Sequence, residues 1–395
     1  MRRIFTVLLL LFIIAALLPA QEQNDILRSF QKNFVRGNLN TKIQVLQDAA
    51  TRTDAEMGPL YHQALDFIID NARIFDNDLV ARELGILAVR LIGISNYAEA
   101  LPSLWEYFTV DDTRSVRVEA LNAIGELAPG DTRLVNNLNR WLSGQNDRLR
   151  AGEDVDLSVI EEAVVALGKI GDDSSFPVLF SVSILGGSDE IDEKAIDALY
   201  SIEGDFQEMI LRVLEENPLN EKLEALRIGL SNEDLTDEEK GEIAQSALSK
   251  GLYSTATDPE ERETLRQIRY ESIRMLTKLS WSSATNDVIE HFDQALQEKI
   301  LGIGRTSHVI DAIRSLGAMN THEAAVRLSL YLDLLNSDVE RGKNIEDEIV
   351  LAVIQNLGNL GDKVAFDYLL YARLLDYSDS IKKAAQESLN QLNRL

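Results

Sequence analysis

The sequence predicts an all-α fold, a right-handed α-solenoid (superhelix) of about nine or ten stacked helical hairpins. Three observations predict it. Apolar residues recur with a helical period, one motif returns along most of the chain, and a Gly-Asp pair closes that motif four times.

The helical period is plainest at Val116, Ala120, Ile124 and Leu127, which fall at i, i+4, i+8 and i+11 and so form one stripe. Similar stretches begin at Glu162, Lys194, Val309 and Ala352. Small residues (Ala120, Ala163, Ala195, Ala312) recur within the stripe, where a neighbouring helix must come close. The pairs Gly130-Asp131, Gly171-Asp172, Gly204-Asp205 and Gly361-Asp362 follow such segments. Glycine takes the left-handed conformation that ends a helix, and aspartate accepts from the free N–H groups that begin the next. A stop joined to a start means two helices linked by a tight turn.

Aligned on Gly125, the motif recurs at Gly93, Gly125, Gly168, Tyr200, Thr277, Gly317, Gly358 and Asn390, with intervals of 32, 43, 32, 77, 40, 41 and 32. The interval of 77 holds two repeats, with a weak copy around Leu223 to Leu230. Such periods belong to stacked helical hairpins. Residues 21–76 form N-terminal hairpins, the first from Asn24 to Val35 and Thr41 to Ala50, that cap the array; residues 77–395 are the repeats proper. Tyr97 to Phe108, Asp173 to Leu185 and Val364 to Leu375 supply partner helices. Thr236-Asp237-Glu238-Glu239 is a capping box, and Asp258-Pro259-Glu260-Glu261 opens another helix with proline in its first turn. Ser143 to Asp156, Gly251 to Asp258 and Asn336 to Asn344 are polar enough to be expected as long loops.

The motif resembles that of the HEAT-repeat family. Asp112, Val116-Arg117 and Ala120 echo the family's Asp, Val-Arg and Ala positions, and Asp379, Ile381-Lys382 and Ala384 echo them again. The resemblance covers roughly Asn77 to Leu395, with a degenerate signature between Asp205 and Ser280. Tetratricopeptide repeats fit less well, lacking here their fixed period and aromatic positions. The resemblance implies a superhelix whose second helices line a concave side. Arg117, Glu119, Asn122, Glu126, Glu161, Glu162 and Lys169 are then the candidate partner-binding positions.

The first twenty residues have another character. Arg2-Arg3 precedes the apolar run Ile4 to Leu18, and Pro19-Ala20 leads into polar Gln21-Glu22-Gln23. That is the layout of a secretory signal peptide over residues 1–20. The competing reading is an uncleaved anchor, for which the run is shorter than the roughly twenty residues a spanning helix needs. The expected compartment is outside the cytoplasm, a bacterial periplasm. No cysteine occurs, which rules out disulfides, thiolate metal sites and lipid attachment at a cleavage-site cysteine.

The net charge is −26, and would be −28 once Arg2 and Arg3 leave with the signal. Nucleic acid is an unsuitable partner, because phosphate contacts require a basic face. A protein partner is expected, and a basic one is permitted, although acidity of this kind also serves solubility alone.

Signals of catalysis are sparse. The four histidines, His62, His291, His308 and His322, have no G-x-S-x-G serine near them. His322-Glu323 resembles one of the dyads with which HEAT-like metal hydroxylases bind iron, but one dyad does not complete a site. Asp154 with Asp156, and Asp76 with Asp78, lack the spacing of an EF-hand loop and suit turns and caps. Gly302-x-Gly304 lacks the lysine of a phosphate loop. No catalytic residue, cofactor or metal ligand is expected. Trp105 is expected in the core, while Trp141 and Trp281 suit either core or binding anchor. Two functions follow: a non-catalytic interaction scaffold, or an enzyme or enzyme subunit of the HEAT-like lyase type with a pocket between hairpins.

Overall fold

The computed structural model describes residues 24–75 and 77–393. The expected signal peptide and Asp76 lie outside them. Among the described residues the chain forms twenty α-helices, four short 3-10 turns and no strand. In order they are α1 (24–36), α2 (Leu39–Ala50), α3 (Gly58–Asp70), α4 (Leu79–Ile94), α5 (Leu101–Val110), α6 (Arg114–Leu127) and α7 (Thr132–Arg150). Next come α8 (Leu157–Ile170), α9 (Phe176–Ser183), α10 (Asp189–Tyr200), α11 (Phe206–Glu216), α12 (Leu219–Ser231) and α13 (Asp237–Tyr253). The last are α14 (Pro259–Leu279), α15 (Thr285–Ile300), α16 (Thr306–Ala318), α17 (His322–Glu340), α18 (Asp347–Leu360), α19 (Phe366–Leu374) and α20 (Asp379–Leu392).

The boundaries follow the expected chemistry. Gly130, Gly171, Gly204 and Gly361 all have φ between 68° and 122°, in the left-handed region. The aspartate after each accepts backbone N–H groups of the next element: Asp131 from Leu134, Asp172 from Ser174, Asp205 from Glu208 and Asp362 from Val364. Thr236 and Glu239 form the capping box, and Asp258 caps α14 with Pro259 in its first turn. The recurrent alanines Ala120, Ala163, Ala195 and Ala312 are wholly buried.

Two of the three expected loops, Ser143 to Asp156 and Asn336 to Asn344, are instead mostly helix, and Gly251 to Asp258 is a loop after its first three residues. α7 runs to Arg150, α13 to Tyr253 and α17 to Glu340. α7 and α17 close identically. Gly152 and Gly342 both stand at φ +73°, and the residue after each donates to a carbonyl one turn back, Glu153 to Arg148 and Lys343 to Asp338. The buried amides of Asn146 and Asn336 donate to the carbonyls of Val178 and Tyr368 on the neighbouring helix, each at 3.3 Å. Those bonds hold polar helix ends in place.

The chain divides into two compact units at Gly204 and Asp205. Within each, successive helices pack as hairpins, and each helix also packs on the one two places along. The first unit thus has a layer of first helices (α3, α5, α7, α9) and a layer of second helices (α4, α6, α8, α10). Leu84, Leu104, Leu121, Ile124 and Leu138, fully buried between the layers, contribute about 1.5–3 kcal/mol each.

The two units are built alike, helix for helix, α1–α10 against α11–α20. In the first, the buried Lys42 ammonium of α2 reaches back to the Phe34 carbonyl at 2.5 Å; in the second, Lys222 of α12 does the same to Leu214 at 2.6 Å. Gly58 lies under the ring of Tyr97, and Gly241 under that of Trp281. Asn146 and Asn336, Gly152 and Gly342, and Gly171 and Gly361 are each 190 residues apart. The fold is therefore a ten-helix unit present twice.

Candidate partner-binding face

The second helices of the first unit meet through glycine. A Cβ added at Gly125 would lie 3.0 Å from Ala166 Cα, and one at Gly168 would lie 2.9 Å from Ala198 Cβ. Gly93 repeats the contact more loosely, at 3.5 Å from Ala123 Cβ. Each motif glycine of the first unit thus receives an alanine of the next second helix, whereas Gly317 and Gly358 of the second unit meet Asn356 and Ser388. Close backbones leave the longer side chains of these helices to meet above the contact.

There they form a ladder. Arg90 of α4 grips Glu119 of α6 with two bonds, at 2.9 and 3.0 Å. Lys169 of α8 reaches back to α6, to Glu126 at 2.8 Å and Asn122 at 3.3 Å. Lys194 of α10 pairs with Glu161 of α8. Five of the seven expected contact residues (Glu119, Asn122, Glu126, Glu161, Lys169) are therefore brought together as cross-links between neighbouring helices. Water reaches all of these pairs and screens them, so the ladder fixes side-chain positions more than it adds stability.

Glu162 and Arg117 differ. Glu162 is half-buried, and desolvation raises its carboxyl pKa, with Lys169 opposing and Glu161 and Glu119 adding to the shift. A raised folded pKa means stability is greatest below the unfolded value and falls as pH rises through the folded one. Glu162→Gln is expected to remove that loss. Urea midpoints from about pH 4 to about pH 7 should fall less steeply in the variant, and parallel curves would contradict the assignment. Arg117 leaves the ladder altogether. Its Nε donates to the Phe108 carbonyl at 3.3 Å, and its guanidinium sits 5.6 Å from the Phe108 ring centre.

In the second unit, α14, α15 and α16 enclose polar groups that the sequence pattern did not reveal. Arg269 and Glu298 are 2% and 6% exposed and bonded to each other. Tyr270 donates to Glu298 at 3.4 Å and packs 4.6 Å from His308 and 5.3 Å from His291. His291 is wholly buried, neither ring nitrogen has a partner, and burial, with Arg269 and His308 nearby, pushes its pKa down to about 3. Such an imidazole is neutral at ordinary pH and a poor general base. Glu298 reaches this group through Arg269 and Tyr270 and bonds neither histidine among the described residues.

The other candidate groups take structural places. His322 pairs with Asp362 at 2.7 Å, across 40 residues, not with Glu323. His62 meets Ser103 at 2.9 Å. Asp78 and Asp156 cap α4 and α8, and Asp154 gives its carbonyl to Arg148. Gly302, at φ +74°, ends α15. Among the described residues no group of three or more His, Cys, Asp or Glu could hold a metal ion, and no helix is long and apolar enough to cross a membrane. Trp105 is half-buried, stacked on Phe108 at the core's edge; Trp281 is also half-buried, its indole N–H bonded to Gln245 at 2.8 Å.

No family model matches the chain, and no curated protein does. Among the solved structures that match is one titled the structure of the TSC2 N-terminus. It is 12% identical, covers 94% of this chain and 100% of that one, and has a TM-score of 0.41.

Proposed function

We propose that the chain is an exported, HEAT-like helical array that holds a protein partner and performs no catalysis. The observation that carries this reading is the locked row α4, α6, α8 and α10. Glycine–alanine contacts and the ladder of paired charges hold a broad polar surface in one geometry before anything binds. Preorganisation of that kind lowers the ordering cost of association. The charge of −26 favours a basic partner.

The compartment follows from residues 1–20, and a periplasm suits a cysteine-free chain without disulfides. Intact mass of the protein purified from its own cell envelope is expected to begin at Gln21. A mass retaining Met1 would favour the anchored form. The scaffold itself is tested by cross-linking the full protein in its native compartment and identifying what co-purifies. A reproducible, stoichiometric protein partner supports the reading; turnover of a small molecule by the isolated chain would overturn it.

A further inference from the structure

A cleft of about 270 Å³ opens in the first unit between α6, α7 and the segment before α8, lined by Arg114, Arg117, Trp141, Gln145, Arg148 and Asp156 among others. Two of its three guanidinium groups are engaged. Arg114 bonds Asp156 at 2.7 Å, and Arg148 bonds Glu153 at 2.9 Å, Gln145 at 3.3 Å and the Asp154 carbonyl at 2.9 Å. Arg117 is not. Only its Nε has an acceptor, the Phe108 carbonyl, and among the described residues its two terminal nitrogens have none. The Phe108 ring steadies it, and the same ring meets Trp141 edge-on, centres 5.0 Å apart.

The second unit shows that the fold does not require this arrangement. With Gly125 matched to Gly317, Arg117 corresponds to Val309. With Asn146 matched to Asn336, Trp141, Gln145 and Arg148 correspond to Tyr331, Leu335 and Asp338. Val309, Tyr331 and Leu335 are 0%, 8% and 6% exposed. One copy of the architecture is packed shut with apolar groups at these positions, while the other keeps an open cleft with an unpaired guanidinium. The lining itself carries three arginines against two aspartates, Asp154 and Asp156, in a chain of net charge −26.

We propose that this cleft docks a polypeptide through a carboxylate, with Arg117 as the anchor and the Trp141 ring as an apolar floor. A guanidinium with two terminal donors held in one plane matches the two oxygens of a carboxylate, and its bonds are charge-assisted. The carboxylate is that of an acidic side chain, the kind of partner Arg114 and Arg148 already have in Asp156 and Glu153, and the ring floor favours a flat apolar neighbour in the peptide. This rests on the scaffold reading above and specifies one surface of it.

The test uses the full chain and three short probes: acetyl-Ala-Phe-Glu-Ala-amide, acetyl-Ala-Ala-Phe with a free C-terminus, and acetyl-Ala-Phe-Gln-Ala-amide. The readout is the indole N–H NMR signal of Trp141, assigned with Trp141→Phe. The glutamate probe is expected to shift it saturably and to bind more tightly than the free C-terminus, and the glutamine probe is not expected to shift it; tighter binding of the free C-terminus overturns the side-chain assignment. Arg117→Ala should weaken binding about tenfold or more. Gln145→Leu should do likewise by closing the cleft with the residue the second unit already tolerates there. Arg133→Ala, on the exposed face of α7, should leave binding unchanged. Equal binding of the glutamine probe, no binding of any probe, or parental binding by both cleft variants overturns the proposal. A native partner captured equally by parent and Arg117→Ala protein overturns the cleft and leaves the scaffold standing.

Discussion

Glu298→Ala is expected to destabilise the second unit by about 3–5 kcal/mol, the range for breaking a buried ion pair from one side. Arg269 is 2% exposed, and its Nε and Nη1 have no partner even with Glu298 present. Removing the carboxylate strands the whole guanidinium in the interior. His291 beside it, neutral at ordinary pH because burial pushes its pKa down to about 3, has no negative charge to offer in exchange. Removing both charges together, as Arg269→Met with Glu298→Leu, is expected to cost less than the single change. Urea unfolding of the two single variants and the double variant gives the coupling directly. A loss under about 1 kcal/mol for Glu298→Ala would falsify the claim that the pair is fully desolvated.

The second large effect is at Gly168. Its added Cβ would stand 2.9 Å from Ala198 Cβ and 3.0 Å from Ala198 Cα, the latter a backbone atom that cannot rotate away. Gly168→Val must push α8 and α10 apart, at an expected cost of about 3 kcal/mol. Gly144 provides the contrast. It lies in the exposed middle of α7, with nothing within 4 Å of an added Cβ. Gly144→Ala should stabilise by up to about 1 kcal/mol, the difference in helix propensity. Opposite signs for two helical glycines in one unit would identify packing, not propensity, as the reason for the motif. Thermal and urea unfolding of the two variants side by side decides it.

What could be read from the sequence was whatever is local. Each Gly-Asp pair is a complete physical device within two residues, so all four were legible, as was the capping box at Thr236. The tails of α7 and α17 were not. Ser143-Gly144-Gln145-Asn146-Asp147 has the composition of a loop, and what makes it helix is a bond from Asn146 to Val178, 32 residues away. The doubled unit was hidden for a related reason. The matched residues are caps and close contacts scattered through unlike neighbours, and insertions shift their offset from 180 at Lys42 and Lys222 to 190 at Gly152 and Gly342.

The candidate face was partly legible. The motif singled out α6 and α8, and Glu119, Asn122, Glu126, Glu161 and Lys169 do share one row. It could not show that these groups bind each other, because their partners come from a different repeat. Nor could adjacency in sequence separate Arg117 from Glu119. Two residues turn a helix by about 200°, which sends one side chain into the ladder and the other toward Phe108.

Lys42 and Lys222 have a consequence for how the protein comes apart. Each half carries its own internal tie between its opening helices and its own run of stops and starts, so neither borrows these from the other. Heat or denaturant can then melt one half while its twin stays intact, giving a curve with two steps in place of one. The half with the stranded histidine and the submerged arginine is the one expected to go first.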